Sequence, residues 1–123
     1  MILVDSSVWI DHIHRQDMQL DDLLAWKQVL GHPFIAAEIA LGSMTNRQAI
    51  LSSLDELPQA PEVLVSEVRH FIEKHQMFSK GIGFVDATLL VSALVAKNVT
   101  LWSRDRRLNM LADSFGIAYQ PLH

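Results

Sequence analysis

The chain has 123 residues, half of them hydrophobic and a fifth charged, the composition of one globular domain with its own core. It contains no cysteine, so disulfides, thiolate zinc sites and cysteine nucleophiles are excluded. No stretch approaches the ~20 continuous apolar residues of a membrane span, and a net charge of −4 is not the signature of a general nucleic-acid binder.

The opening Met1-Ile2-Leu3-Val4-Asp5 lacks both the basic and the long apolar region of a signal peptide, so the cytoplasm is the expected compartment. Residues 1–4 read as a short buried strand. Asp5, Ser6 and Ser7 then offer N-cap chemistry for a helix through about His14. Asp17 can cap a second helix, Met18 to Leu30, carrying Leu20, Leu23, Leu24 and Val29 near helical spacing. Gly31-His32-Pro33 breaks it. Phe34-Ile35 is read as a very short strand, followed by a helix bearing Glu38. Thr45 is the expected cap of a helix over Asn46–Leu57, which Pro58 closes. A helix is expected from Ser66 to about Phe78, then a flexible turn at Lys80-Gly81-Ile82-Gly83. An apolar helix follows from about Val85 to Lys97, ended by Asn98. Val99–Trp102 reads as a buried strand, Arg106–Phe115 as a helix stopped by Gly116, and Ile117–Tyr119 as a last short strand. Strands separated by helices predict an α/β fold with a mostly parallel sheet.

Four acids stand out against this background: Asp5, Glu38, Asp86 and Asp105. Each sits in or beside an apolar run, where a lone ionised carboxylate costs several kcal/mol or takes up a proton instead. Such a cluster calls for a compensating cation, and oxygen ligands suit a magnesium-type ion. Asp5 and Asp105 each follow a predicted strand, and they become neighbours if those two strands pair. In open α/β sheets, that carboxyl edge is where ligands bind. Each acid also has an ordinary reading. Asp5 and Asp105 can be helix caps, Asp86 lies where a helix dipole favours negative charge, and Glu38 can simply be exposed.

The charge is unevenly spread. Residues 1–62 hold three basic groups against nine acidic, whereas residues 63–123 hold seven basic against five acidic. Arg104, Arg106 and Arg107 flank Asp105, as a phosphodiester-binding site would need, although arginine counter-ions at a solvated helix start read equally well. The histidines form no ligand set: His12 and His14 point to different faces of a helix, and His70 and His75 align poorly. There is no nucleotide-binding glycine pattern and no Gly-x-Ser-x-Gly elbow.

In order, Ile2-Leu3-Val4-Asp5-Ser6-Ser7-Val8-Trp9-Ile10-Asp11, Ala37-Glu38-Ile39-Ala40-Leu41-Gly42, Gly81-Ile82-Gly83-Phe84-Val85-Asp86-Ala87-Thr88 and Leu101-Trp102-Ser103-Arg104-Asp105-Arg106-Arg107-Leu108 resemble the four acidic motifs of PIN-domain ribonucleases. More narrowly they resemble VapC, the toxin half of VapBC toxin–antitoxin systems. The resemblance spans essentially the whole chain. It implies an α/β/α sandwich with a five-stranded parallel sheet and RNA cleavage dependent on magnesium, with manganese as substitute. It also implies a toxin homodimer and a cognate VapB-type antitoxin whose C-terminal segment covers the toxin's groove. Carried residue by residue, it makes Asp5, Glu38, Asp86 and Asp105 the catalytic metal ligands. Ser7 and Ser103 would orient a carboxylate or a water, and Arg104, Arg106 and Arg107 would position the RNA backbone.

Two other classes remain. A PIN-like module could inhibit by binding RNA or protein without cleavage, but it would not need all four acids. A phosphatase of the haloacid dehalogenase type also places an aspartate after its first strand, yet it needs a second acid two residues on, where Ser7 stands.

Overall fold

The computed structural model describes residues 1–121. Among them are three strands and seven helices: β1 (Ile2–Val4), α1 (Ser6–His14), α2 (Met18–Ala25), β2 (Val29–Leu30), α3 (Pro33–Ala40), α4 (Arg47–Glu56), α5 (Val65–Lys74), α6 (Phe84–Ala96), β3 (Thr100–Trp102) and α7 (Arg106–Ser114). The sheet is parallel, in the order β2-β1-β3, with Leu3 opposite Leu30 on one side and Leu101 on the other. This is the expected α/β class, but with three strands instead of five.

The two missing strands survive as single parallel bridges, one on each edge: Gly31 with Gln59, and Leu101 with Ala118. Proline explains why neither grows. Pro58 and Pro61 bracket Gln59-Ala60, and a residue without an N–H cannot donate to a ladder. On the other edge Pro121 closely follows Ala118. Gly31 is where the edge segments approach: a Cβ there would lie 2.8 Å from Gln59 Nε2.

The second helix also departs from expectation. It ends at Ala25, and Val29–Leu30 is the strand that Phe34-Ile35 was expected to supply. The stop is a Schellman turn, with Lys27 N–H donating to Leu24 O (3.0 Å) and Gln28 N–H to Leu23 O (2.9 Å). Lys27 takes the left-handed conformation at φ 56° that glycine usually fills. Phe34 and Ile35 instead open α3, with Pro33 preorganised in its first turn and His32 as its cap. α4 is capped by Asn46 rather than Thr45, at φ 54° and with no side-chain hydrogen bond.

Leu3, Val4 and Leu101 of the sheet are fully buried together with Val8, Leu20, Ile35, Val68, Leu89, Leu90 and Leu108 of the helices, so one core surrounds the sheet. The buried run Ala87–Ala93 accounts for the almost continuous apolar character of α6. No helix among the described residues is long and apolar enough to cross a membrane.

Candidate active site

β1 and β3 run parallel and adjacent, so their carboxyl ends deliver Asp5 and Asp105 to one edge of the sheet. Asp5 N–H donates to Trp102 O at 2.9 Å, extending the ladder by one step. Both aspartates then cap the helix that follows. Asp5 Oδ2 accepts from Ser7 N–H (3.4 Å), Ser7 Oγ (2.7 Å) and Ser103 Oγ (2.9 Å). Asp105 Oδ1 accepts from Leu108 N–H at 3.0 Å. The capping reading therefore holds for both, and the two strand ends lie side by side. Only Asp5 is buried, at 4% exposure; Glu38 and Asp86 are half-buried and Asp105 is exposed.

Glu38 comes from the last turn of α3, and Ser6 Oγ donates to its Oε1 at 3.1 Å. Asp86 lies in the first turn of α6. The Asp86 carboxyl is pushed up to about 6, first by burial and then by the charges of Asp5, Asp105 and Glu38. The helix dipole at this position would act in the opposite sense. Glu38 is raised as well: burial dominates and Asp5 adds to it, against the hydrogen bond from Ser6. Four carboxylates from four parts of the chain thus share one field, and none is in an ion pair among the described residues.

The donors are all oxygen, which suits a hard divalent cation. As they stand, no three His, Asp or Glu side chains among the described residues form a group that could hold an ion. Asp105 Oδ1 is held on Leu108 N–H, and Glu38 Oε1 on Ser6 Oγ. Their second oxygens carry no hydrogen bond among the described residues.

Ser7 and Ser103 both meet Asp5. Ser103 Oγ also accepts from Asp105 N–H at 3.0 Å, and Ser7 Oγ accepts from Arg104 N–H at 3.0 Å. The arginines behave less uniformly than their sequence cluster implies. The Arg104 guanidinium is paired with Asp11 (2.7 Å) and Asp17 (2.5 Å). Arg107 donates to Gly81 O at 3.3 Å. Arg106 has no side-chain hydrogen bond among the described residues.

Compared with profiles of known protein families, the chain matches none. Compared with curated proteins, it is 39% identical over 118 residues to ribonuclease VapC32 of Mycobacterium tuberculosis, in strain CDC 1551 and in strain H37Rv alike. The alignment covers 96% of this chain and 95% of each relative. The chain belongs to the VapC ribonuclease family.

Within this VapC chain, sequence reasoning overlooked two polar contacts at the site. Ser6 was read only as cap chemistry, yet it holds Glu38 across 32 residues. Asp17 is expected only as a helix cap, yet with Asp11 it holds Arg104. No local signal marks either contact, because the partners meet only once β1, α3 and β3 are assembled.

Proposed function

We propose that this protein is the toxin of a toxin–antitoxin pair, an endoribonuclease that hydrolyses phosphodiester bonds in RNA with the help of magnesium, or manganese in its place. Membership of the VapC ribonuclease family supports the reaction class. The observation that supports the site is the charge coupling of Asp86 to Asp5, Asp105 and Glu38, an all-oxygen cluster without a protein cation to balance it. A divalent cation bound there would supply Lewis acidity, making an attacking water more acidic and offsetting charge on the phosphate.

The chain's own contribution is placement. Asp5 is fixed by three hydrogen bonds, all on one oxygen. Glu38 and Asp86 enter from α3 and α6 and are the more easily protonated pair. Ser103 joins Asp5 to the Asp105 backbone and Ser6 steadies Glu38, so both act by orienting carboxylates. Arg106 and Arg107, on the first turn of α7, lie beside Asp105 and would receive the RNA backbone.

The same reading includes a homodimer and a VapB-type antitoxin. An apolar cavity of about 580 Å³, lined by Trp9, Ile13, Leu24, Ala49, Ile50 and Leu54 among others, opens between α1, α2 and α4. The Trp9 indole N–H at its wall is buried with no hydrogen-bond partner. A peptide segment with apolar side chains would match this lining, and we propose that the antitoxin's segment lies here.

The test is cleavage of pooled cellular RNA by antitoxin-free protein, with magnesium, with manganese and with EDTA, alongside Asp86→Asn protein shown folded by circular dichroism. Metal-dependent cut sites absent from the variant are expected. Undiminished cutting by the variant would remove Asp86 from the site.

A further inference from the structure

Arg104 sits between two candidate site residues, Ser103 and Asp105, and the simplest expectation for it is a phosphate contact. Its side chain is committed elsewhere. The two arms of the guanidinium divide between Asp11 Oδ2, on α1, and Asp17 Oδ2, at the cap of α2. The group also lies over the Trp102 ring, 5.6 Å from its centroid. Asp17 is itself fixed by Leu20 N–H on its Oδ1 (3.0 Å), and its backbone N–H donates to His12 Nδ1 (2.9 Å). Burial alone would raise the Asp17 carboxyl, but the hydrogen bonds from Leu20 and Arg104 outweigh it and hold the group below its usual value. Asp17 is therefore a firm anchor for the guanidinium.

The main chain of the same residue touches the site. Arg104 N–H donates to Ser7 Oγ, which donates to Asp5 Oδ2. On either side, Ser103 Oγ reaches Asp5 and accepts from Asp105 N–H. Three consecutive residues thus fix Asp5 through two hydroxyls, and the guanidinium pins the middle one to α1 and α2.

We propose that Arg104 is a positioning residue for RNA cleavage, a two-armed clamp that holds the Ser103–Asp105 segment against Asp5 instead of contacting the RNA. This rests on the ribonuclease reading given above. Arginine is needed because its planar fork can serve two carboxylates at once, which a lysine ammonium on a flexible stem does poorly. A phosphate contact, in contrast, would survive replacement by lysine.

The experiment compares wild type with Arg104→Gln, Arg104→Lys and the double variant Asp11→Asn/Asp17→Asn, each shown folded by circular dichroism. The probe is a short fluorescent RNA carrying a cut site mapped on pooled RNA with wild-type protein. Cleavage gives kcat and KM. RNA affinity is measured at several salt concentrations in an Asp86→Asn background. A clamp predicts a fall in kcat of about tenfold or more in all three variants, with KM within about twofold and an unchanged salt slope. A phosphate contact predicts a raised KM and a shallower salt slope in Arg104→Gln, near-normal behaviour in Arg104→Lys, and tighter RNA binding once the two acids are neutralised. That second pattern would overturn the clamp while leaving the ribonuclease reading intact. Failure of wild-type protein to cut any RNA would overturn that reading itself.

Discussion

Ser103 Oγ lies 2.9 Å from Asp5 Oδ2, joining two residues 98 apart in sequence. The same hydroxyl accepts from Asp105 N–H, so one side chain ties the carboxyl ends of β1 and β3 together. Removing it leaves a buried acceptor and a partly buried donor short of a partner. Ser103→Ala is expected to cost about 1–2 kcal/mol in urea unfolding and to lower RNA cleavage about 10–100-fold, in the range seen when groups orienting metal ligands are lost. Ser103→Thr keeps the hydroxyl and should retain most activity. Equal loss in both variants would point to packing at residue 103 rather than to its hydrogen bonds.

Asp86 carries a burial cost, and beyond it the repulsion of Asp5, Asp105 and Glu38, that the folded chain must bear. Its carboxyl stands at about 6 in the folded state against 3.8 unfolded. The folded state thus binds the proton more tightly, and stability falls as pH rises from about 4 through 6. Asp86→Asn has no such proton to lose. In EDTA at pH 7 it should be more stable than wild type by about 1–2 kcal/mol, a figure discounted for solvent screening at a half-exposed site. The gap should close below pH 4. Urea titrations of both proteins at the two pH values would decide it, and a gap that does not change with pH would sink the argument. The variant would then be inactive yet more stable, which separates its loss of activity from unfolding.

The placement of the candidate acids could be read in advance because it is local. Asp5 after Ile2-Leu3-Val4 and Asp105 after Val99–Trp102 are strand-end acids, and a parallel sheet brings such ends together. The apolar run after Asp86 marked α6 for the same reason: period and composition suffice when a helix is buried on every side. The readings that failed depended on geometry with no residue signature. Leu23, Leu24, Val29 and Leu30 continue a helical pattern across a Schellman turn because Lys27, not a glycine, adopts the left-handed backbone. β2 was therefore hidden inside the expected helix. The outer strands shrank to single bridges because prolines stop them, which counting strand-like segments overlooks. Arg104 was drawn to the site by its neighbours in sequence, while its partners Asp11 and Asp17 lie 93 and 87 residues away.

His32 holds α3, and with it Glu38, by an unusual cap. Its Nδ1 accepts from Phe34 N–H at 3.0 Å, so the neutral ring carries its proton on Nε2, which is buried without a partner. Burial pushes the imidazole below its ordinary 6.5, and the charge of Glu62 opposes this only in part. The unfolded chain therefore takes up the proton first. Stability is full above about pH 6.5 and falls as pH drops below it, because a proton on Nδ1 would face the Phe34 N–H. His32→Ala should cost about 1 kcal/mol or more through loss of the cap. His32→Asn can still cap and should recover part of that. The wild-type advantage over His32→Asn should shrink between pH 7.5 and 5.5 in parallel urea titrations. An advantage that grows on acidification would mean that the ring is charged when folded.

The apolar cavity between α1, α2 and α4 has none of the four acids in its lining, so antitoxin capture and catalysis should be separable. Ala49 is an exposed residue of α4 at its edge, where a long side chain costs the fold little. Ala49→Arg would place a charge and several methylenes in the cavity proposed for the antitoxin segment. Co-expressed with the cognate antitoxin, the variant should lose at least tenfold in affinity by calorimetry while its free form cuts RNA at the wild-type rate. It should then remain toxic in cells where the antitoxin silences the wild type. Full neutralisation of Ala49→Arg would place the antitoxin segment elsewhere, and a parallel drop in cleavage would show that the cavity and the acidic edge are mechanically coupled.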